Sequence, residues 1–163
     1  GTARQSLIYA ADAKAAGVSG AIVPDLLVEE SAGLAKVCQA ADFNLIQLVT
    51  PTTPRERAVR IAQTSTGFLY YVSVTGITGE RKELPIELKT QLAALRQATR
   101  IPICVGFGIS RPEHVRALRD QADGIIVGSA LVRPLEQVGK KPLDQILAEI
   151  GQTARGLSDA LVT

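Results

Sequence analysis

Two turns near the C-terminal end of the sequence place glycines where an anion would need them. Residues 101–105 form an apolar run followed by Gly106-Phe107-Gly108-Ile109-Ser110, and residues 124–127 form another followed by Gly128-Ser129-Ala130-Leu131-Val132. Glycine lets the main chain come close to a charged oxygen, and N–H groups at the start of a following helix point at it. One such turn alone is equally well explained as a tight connection. Two in succession, at the ends of neighbouring strands, make the phosphate cradle common in parallel barrels.

Other residues offer chemistry less directly. The apolar run 68–74 leads into a polar, glycine-containing stretch that includes Thr75, Gly76, Thr78 and Gly79 and continues to Lys82. A strand-to-helix loop of that length reads as a lid over a site. After the run 21–23, Asp25 stands where a parallel fold presents its functional carboxylates. Glu29 and Glu30 follow in what reads as a first helical turn, where acidic side chains favour the helix dipole. His114 falls inside a helix just past its start, away from the strand ends, and reads as a surface or satisfied helical histidine. There is no G-x-S-x-G elbow and no P-loop, and the Gly106-Phe107-Gly108 turn lacks the third glycine and later acidic residue of a dinucleotide site.

The elements that must hold these turns are legible as alternation. Five short runs, 21–23, 45–49, 68–74, 101–105 and 124–127, are near-continuously apolar, as strands buried on both faces are. Between them lie helix signals. Thr53-Pro54-Arg55-Glu56 reads as a capping box with proline at the first helical position, and Ser110-Arg111-Pro112-Glu113 as a second capping box. Leu88, Leu92 and Leu95 share one helical face, as do Leu143, Ile146, Leu147 and Ile150, and 6–16 is alanine-rich. The pattern predicts a single α/β domain over 1–163, with five parallel strands alternating with helices.

The bulk properties remove several classes of function. The 163-residue chain has a formal net charge of +2 and 4% aromatic residues, with no Trp, which leaves little for nucleic acid to bind. One histidine and two well-separated cysteines give no metal cluster, and Cys38 and Cys104 read as free buried thiols rather than a disulfide. No run is long enough to span a membrane, and no secretion signal opens the chain, so the expectation is a cytoplasmic protein. The start, Gly1-Thr2-Ala3, lacks Met, as a processed, engineered or excised start would.

Taken together, Val23-Pro24-Asp25-Leu26-Leu27-Val28-Glu29-Glu30-Ser31, then Tyr70-Tyr71-Val72-Ser73-Val74-Thr75-Gly76-Ile77-Thr78-Gly79, then Val105-Gly106-Phe107-Gly108-Ile109-Ser110 and Gly128-Ser129-Ala130 resemble the tryptophan synthase alpha chain family in order and spacing. The resemblance implies a (β/α)8 TIM barrel that cleaves indole-3-glycerol phosphate to indole and glyceraldehyde 3-phosphate in tryptophan biosynthesis. It implies a beta-chain partner that carries pyridoxal phosphate, with no cofactor in this chain. By the same resemblance Thr78 is the lid threonine, and Gly79, Gly108, Gly128 and Ser129 bind phosphate. Ile22, Leu48, Tyr70 and Phe107 line the indole pocket, and the loop after Asp25 faces the beta chain, with Leu27 where proline is usual.

A complete barrel of this kind has eight strands and typically about 250 residues. The resemblance reaches only strands four to eight, so the expectation is the C-terminal part of a TIM barrel. The family's two catalytic carboxylates, on strands two and three, have no counterpart, and Asp25 is the nearest substitute. The chain then keeps the phosphate grip, part of the pocket and the lid. Three readings follow: the C-terminal part of the lyase, a non-catalytic phosphate-binding partial barrel, or an engineered half-barrel fragment. Uncovered sheet edges would be satisfied by self-association or by a missing N-terminal piece.

Overall fold

Alternate residues of each strand divide the molecule into a face that is packed and a face that is not. The computed structural model describes residues 3–24, 26–73, 86–106 and 108–162. Within them the order is α1 (Ala3–Ala15), β1 (Gly20–Ile22), α2 (Val28–Ala40), β2 (Asn44–Ile46), β3 (Leu48–Val49), α3 (Arg55–Thr64), β4 (Leu69–Val72), α4 (Ile86–Ala98), β5 (Ile103–Gly106), α5 (Pro112–Leu118), β6 (Gly124–Ile126), α6 (Ser129–Val132), a 3-10 turn (Arg133–Gln137) and α7 (Leu143–Asp159).

All strand pairs are parallel, β1 with β2 and then β3-β4-β5-β6 in order. The segments β2 and β3 are one extended stretch interrupted only at Gln47. There the N–H donates to Ser65 Oγ at 3.1 Å while the carbonyl accepts from Tyr70 N–H at 3.0 Å. The sequence's five runs therefore correspond to five strand positions.

The helix-facing residues Leu45, Val49, Leu69, Tyr71, Ile103 and Val105 are all buried. Ala58, Ile61 and Ala62 of α3, Leu88, Leu92 and Leu95 of α4, and Val115 and Leu118 of α5 close over most of them. Each such large side chain contributes about 1.5–3 kcal/mol by leaving water. Tyr71 takes its hydroxyl with it: the O–H donates to Gln91 Oε1, and Gln91 Nε2 donates to the Pro51 carbonyl at 3.0 Å.

The opposite face carries Ile22, Ile46, Leu48, Tyr70, Val72, Cys104 and Ile126. Of these only Ile46 is buried, and Ile22 is 46% exposed. In a closed barrel that face points inward; with five strand positions it stays open.

Both predicted capping boxes fail in their details. The residue before α3 is Pro54, not Thr53, and it makes no side-chain cap bond. Thr53 Oγ1 instead accepts from Thr50 N–H at 3.0 Å, closing the turn 50–53 in which Thr53 N–H also donates to the Thr50 carbonyl. The threonine is spent on the strand-to-helix turn, and proline's fixed φ starts the helix unaided. At α5 the cap position is Arg111 rather than Ser110, which makes Pro112 the first helical residue.

Candidate functional site

The C-terminal strand ends come together on one side of the sheet. Strand β5 ends at Gly106, whose missing side chain is a packing requirement. A Cβ there would lie 2.8 Å from both Cε2 and Oη of Tyr70 and 2.9 Å from Ile126 Cβ. Tyr70 thus crosses the end of β5 in the space glycine leaves. A similar constraint holds deeper in the sheet, where a Cβ on Gly124 would meet Cys104 Sγ at 2.8 Å.

Beyond Gly106 the chain turns at Gly108, whose φ of +75° lies in the left-handed region that glycine alone adopts without cost. Ile109 then drops into the core, 3% exposed, and anchors the turn. Strand β6 ends at Ile126, and Gly128 caps α6, its carbonyl accepting from Leu131 and Val132 N–H at 2.9 and 3.2 Å. A Cβ on Gly128 would meet nothing within 4 Å, and Gly128 and Ser129 are exposed. The helix that follows is a single short turn continued by a 3-10 turn before α7. A short extra helix after the last strand is the device by which barrels present N–H groups to phosphate. It was not legible beforehand, although Arg133-Pro134 and Gly139 mark the interruption.

Below the turns lies the open wall. Leu48, Tyr70, Cys104 and Gly124 are neighbours across consecutive strands. Ile22 pairs with Ile46 one strand further out. Three of the sequence-derived pocket and phosphate groups, Leu48 with Tyr70, Gly108, and Gly128 with Ser129, therefore lie on adjacent strands or at their ends. Asp25, Thr78, Gly79 and Phe107 lie outside the described residues. Sequence reasoning missed Gly106 as a site-shaping residue, having read it as part of the turn; its only signal was a glycine directly ahead of the left-handed one.

The titratable groups near the sheet are held in unreactive states. Burial pushes the Cys38 thiol up, and burial and then the Asp123 charge push up Cys104, so both stay protonated. Cys104 is half-buried rather than buried, because it faces the open wall. Burial raises Tyr70 and pushes Tyr71 up to about 12. Asp123 is held low, chiefly by its bond from Arg96 Nη1 at 2.5 Å, and it also accepts the Ile103 N–H at 2.7 Å. That places it at the start of β5, the end remote from the glycine turns. Among the described strand residues none is acidic, and among the described residues no cluster of metal-ligating side chains occurs. No described helix is long and apolar enough to cross a membrane.

The family model for the tryptophan synthase alpha chain matches residues 3–161. The chain belongs to the tryptophan synthase alpha chain family. The alpha chain of Rhodopirellula baltica is 51% identical over 160 residues, which is 94% of this chain and 58% of that one. The alpha chain of Methanocaldococcus jannaschii is 50% identical over 124 residues, 76% of this chain and 44% of that one. Among solved structures, the alpha subunit from Legionella pneumophila superposes with a TM-score of 0.78 at 34% identity, covering 96% of this chain and 56% of that one. A chain of the a2b2 tryptophan synthase complex of Pyrococcus furiosus gives a TM-score of 0.79 at 34% identity, covering 94% and 61%. The chain thus spans about half to three-fifths of the length of these alpha chains. Its alternating parallel strands and helices are part of the TIM barrel that the alpha-chain family adopts.

Proposed function

We propose that this chain is the phosphate-holding part of an indole-3-glycerol-phosphate lyase of tryptophan biosynthesis. The observation that carries the reading is the juxtaposition of the Gly108 turn, the Gly128-capped start of α6, and the half-open apolar wall of Leu48 and Tyr70. Main-chain N–H groups at the two turns would take the phosphate, with the Ser129 hydroxyl donating beside them. The wall would take the flat indole ring, Tyr70, Leu48, Ile22 and Phe107 supplying apolar surface. Thr78 and Gly79 would close over the substrate.

Cleavage of the bond between indole C3 and the glycerol chain needs a proton delivered to C3 and a proton removed from the adjacent glycerol hydroxyl. The electron pair of the breaking bond is received by C3 as it is protonated, and the carbinol carbon becomes the aldehyde of glyceraldehyde 3-phosphate. None of the described strand residues is a carboxylic acid, so the acid/base pair must come from Asp25 or from outside these strands. That same absence favours a second reading, a partial barrel that binds the phosphate and does not turn it over.

The partner that fits the first reading is a tryptophan synthase beta chain, engaged through the loop after Asp25 and supplying pyridoxal phosphate itself. The open sheet also suits a further protein surface. Ile22 at the β1 edge, and Leu143 and Leu147 at the other end of the fold, are each about half exposed at 46%, 57% and 55%. Self-association or a complementary barrel segment would cover them.

Indole release from indole-3-glycerol phosphate, measured with and without a beta chain, tests the proposal. Release by the folded chain means that a carboxylate of this chain serves as acid/base. No release, together with measurable binding of glycerol 3-phosphate, leaves the binding module. Absence of both rejects the phosphate reading.

A further inference from the structure

We propose that His114 is a positioning residue for the phosphate turn, its imidazole holding the backbone between Gly108 and α5. The proposal rests on the phosphate reading above and adds to it the side chain that fixes the turn's shape.

The sequence offers Ser110 as a cap for α5, yet the helix makes no side-chain cap bond and its cap position is Arg111. With Arg111 at the cap, Pro112, Glu113 and His114 are the first, second and third helical residues. In a capping box the third residue is Glu or Gln and reaches back to a free N–H ahead of the helix. Here the third residue is histidine and does the same one residue further out: the Ser110 N–H donates to His114 Nδ1 at 3.3 Å. Ser110 is two residues beyond Gly108, whose φ of +75° defines the turn. Ile109, between them, is buried. The turn is therefore tied at three points: the left-handed glycine, the buried isoleucine and the imidazole.

Two further features suit this role. His114 is only 4% exposed, beside Val115 and Leu118 in the helix's buried face, so its ring has little freedom to leave the bond. Burial, and then the Arg111 guanidinium 3.4 Å from Nε2 through Nε and Nη2, disfavour a second ring proton, so the imidazole stays neutral. A neutral ring accepts at one nitrogen only, so the Ser110 tie takes the tautomer with the proton on Nε2, in competition with the Arg111 Nε–H, which donates to Nε2 in the other. Its distance from the strand ends along the helix excludes it from the chemistry; it acts through Ser110.

The test compares His114→Leu with His114→Asn. Leucine keeps apolar volume and removes the acceptor, whereas the asparagine carbonyl reaches the place of Nδ1 and gives up ring packing. Binding of inorganic phosphate and glycerol 3-phosphate is measured by calorimetry on chains whose fold is checked by circular dichroism, and Ser110 amide exchange is followed by NMR. The expected result is binding weakened roughly threefold to tenfold in His114→Leu, with Ser110 exchanging faster by a similar factor, and near-native values of both in His114→Asn. The reverse order, with leucine harmless and asparagine damaging, would mean that His114 is only packing and would overturn the proposal. If His114→Leu fails to fold, His114→Asn decides: native affinity supports the tie, lost affinity in a folded chain rejects it. If the unaltered chain binds neither probe while Ser110 stays protected by His114, the phosphate reading fails, and the role assigned to the tie fails with it.

Discussion

Replacing Gly106 with alanine puts the relation between strand β5 and the pocket wall under direct test. The new methyl group would lie 2.8 Å from the Tyr70 ring and hydroxyl and 2.9 Å from Ile126 Cβ. Contacts that short do not persist, so something must move. The Tyr70 ring can swing outward, because that face of the sheet is open. The Ile126 Cβ belongs to a strand paired with β5 through Gly106 itself and has less room. Overfilling a packed position of this kind costs about 1–3 kcal/mol. For a chain of this size that lowers the melting temperature by about 2–12 °C. Glycine-to-alanine exchange elsewhere supplies the control. At Gly151, inside α7, an added Cβ meets nothing within 4 Å, and the exchange should stabilise by about 0.5–1 kcal/mol. The assay is thermal and urea unfolding followed by circular dichroism, with Gly106→Ala repeated in a Tyr70→Leu background. Opposite signs at the two glycines, and partial recovery in the double variant, are expected. A Gly106→Ala chain as stable as the parent, or a cost unchanged when Tyr70 is shortened, would refute the account of Tyr70 as seated in the glycine's space.

Three further outcomes follow from the same geometry. Ser129→Glu sets a carboxylate at the start of α6 beside Gly128 and should weaken glycerol 3-phosphate binding by at least about tenfold, by like-charge repulsion; unchanged calorimetric affinity would remove α6 from the phosphate site. Gly108→Ala forces a β-carbon into a left-handed conformation and should cost about 1–2 kcal/mol in urea unfolding, with phosphate affinity falling alongside it. Asp123 is held below its ordinary value of 3.8 by Arg96 and the Ile103 N–H, so the folded state binds its proton less readily than the unfolded chain. Its stabilisation is present above that ordinary value and is lost as pH falls through the lower folded one. Asp123→Asn should therefore flatten the acid limb of a stability-against-pH curve measured below pH 4, with glycerol 3-phosphate affinity untouched because Asp123 sits at the far end of β5.

The alternation of apolar runs with helix signals placed five strands and their helices within a few residues of where they lie. That succeeded because two-sided burial leaves a composition signal that needs no tertiary knowledge. The adjacent pair Tyr70-Tyr71 marks where the signal ends. Both residues are aromatic in an apolar run, yet Tyr71 is sealed under α4 with its hydroxyl on Gln91, while Tyr70 lies on the open wall over Gly106. Strand alternation separates the two faces, but which face meets helices depends on partners distant in sequence. The capping boxes failed for a related reason. Thr53 and Ser110 have the right spacing, but Thr53 closes the turn 50–53 with Thr50, and at α5 the helix starts one residue later, with Arg111 at the cap and the Ser110 N–H tied to His114. The role of Gly106 was hidden because glycine's lack of a side chain has meaning only once the neighbour that fills the space is known.

The division of each strand into a helix-facing and a wall-facing set also separates what stabilises this chain from what would make it act. Leu69, Tyr71, Ile103 and Val105 are buried without any contribution from the opposite face. The Gly108 turn is fixed from the same side, Ile109 entering the core and His114 buried beside Val115 and Leu118. Among the described residues, those that shape the Gly108 turn lie on the helix-facing side, so the proposed phosphate grip does not depend on the open wall. Carbon–carbon cleavage has a different requirement. It needs a proton donor and an acceptor at the substrate, and besides glycines the described strands offer only Ile22, Asn44, Ile46, Leu48, Tyr70, Val72, Cys104 and Ile126 on that face. Tyr70 and Cys104 are both held protonated by burial, and the rest cannot exchange a proton. On the proposed reading, binding and catalysis draw on different residues, and a chain that binds glycerol 3-phosphate without releasing indole is the expected outcome unless Asp25 or a carboxylate from outside these strands faces the wall.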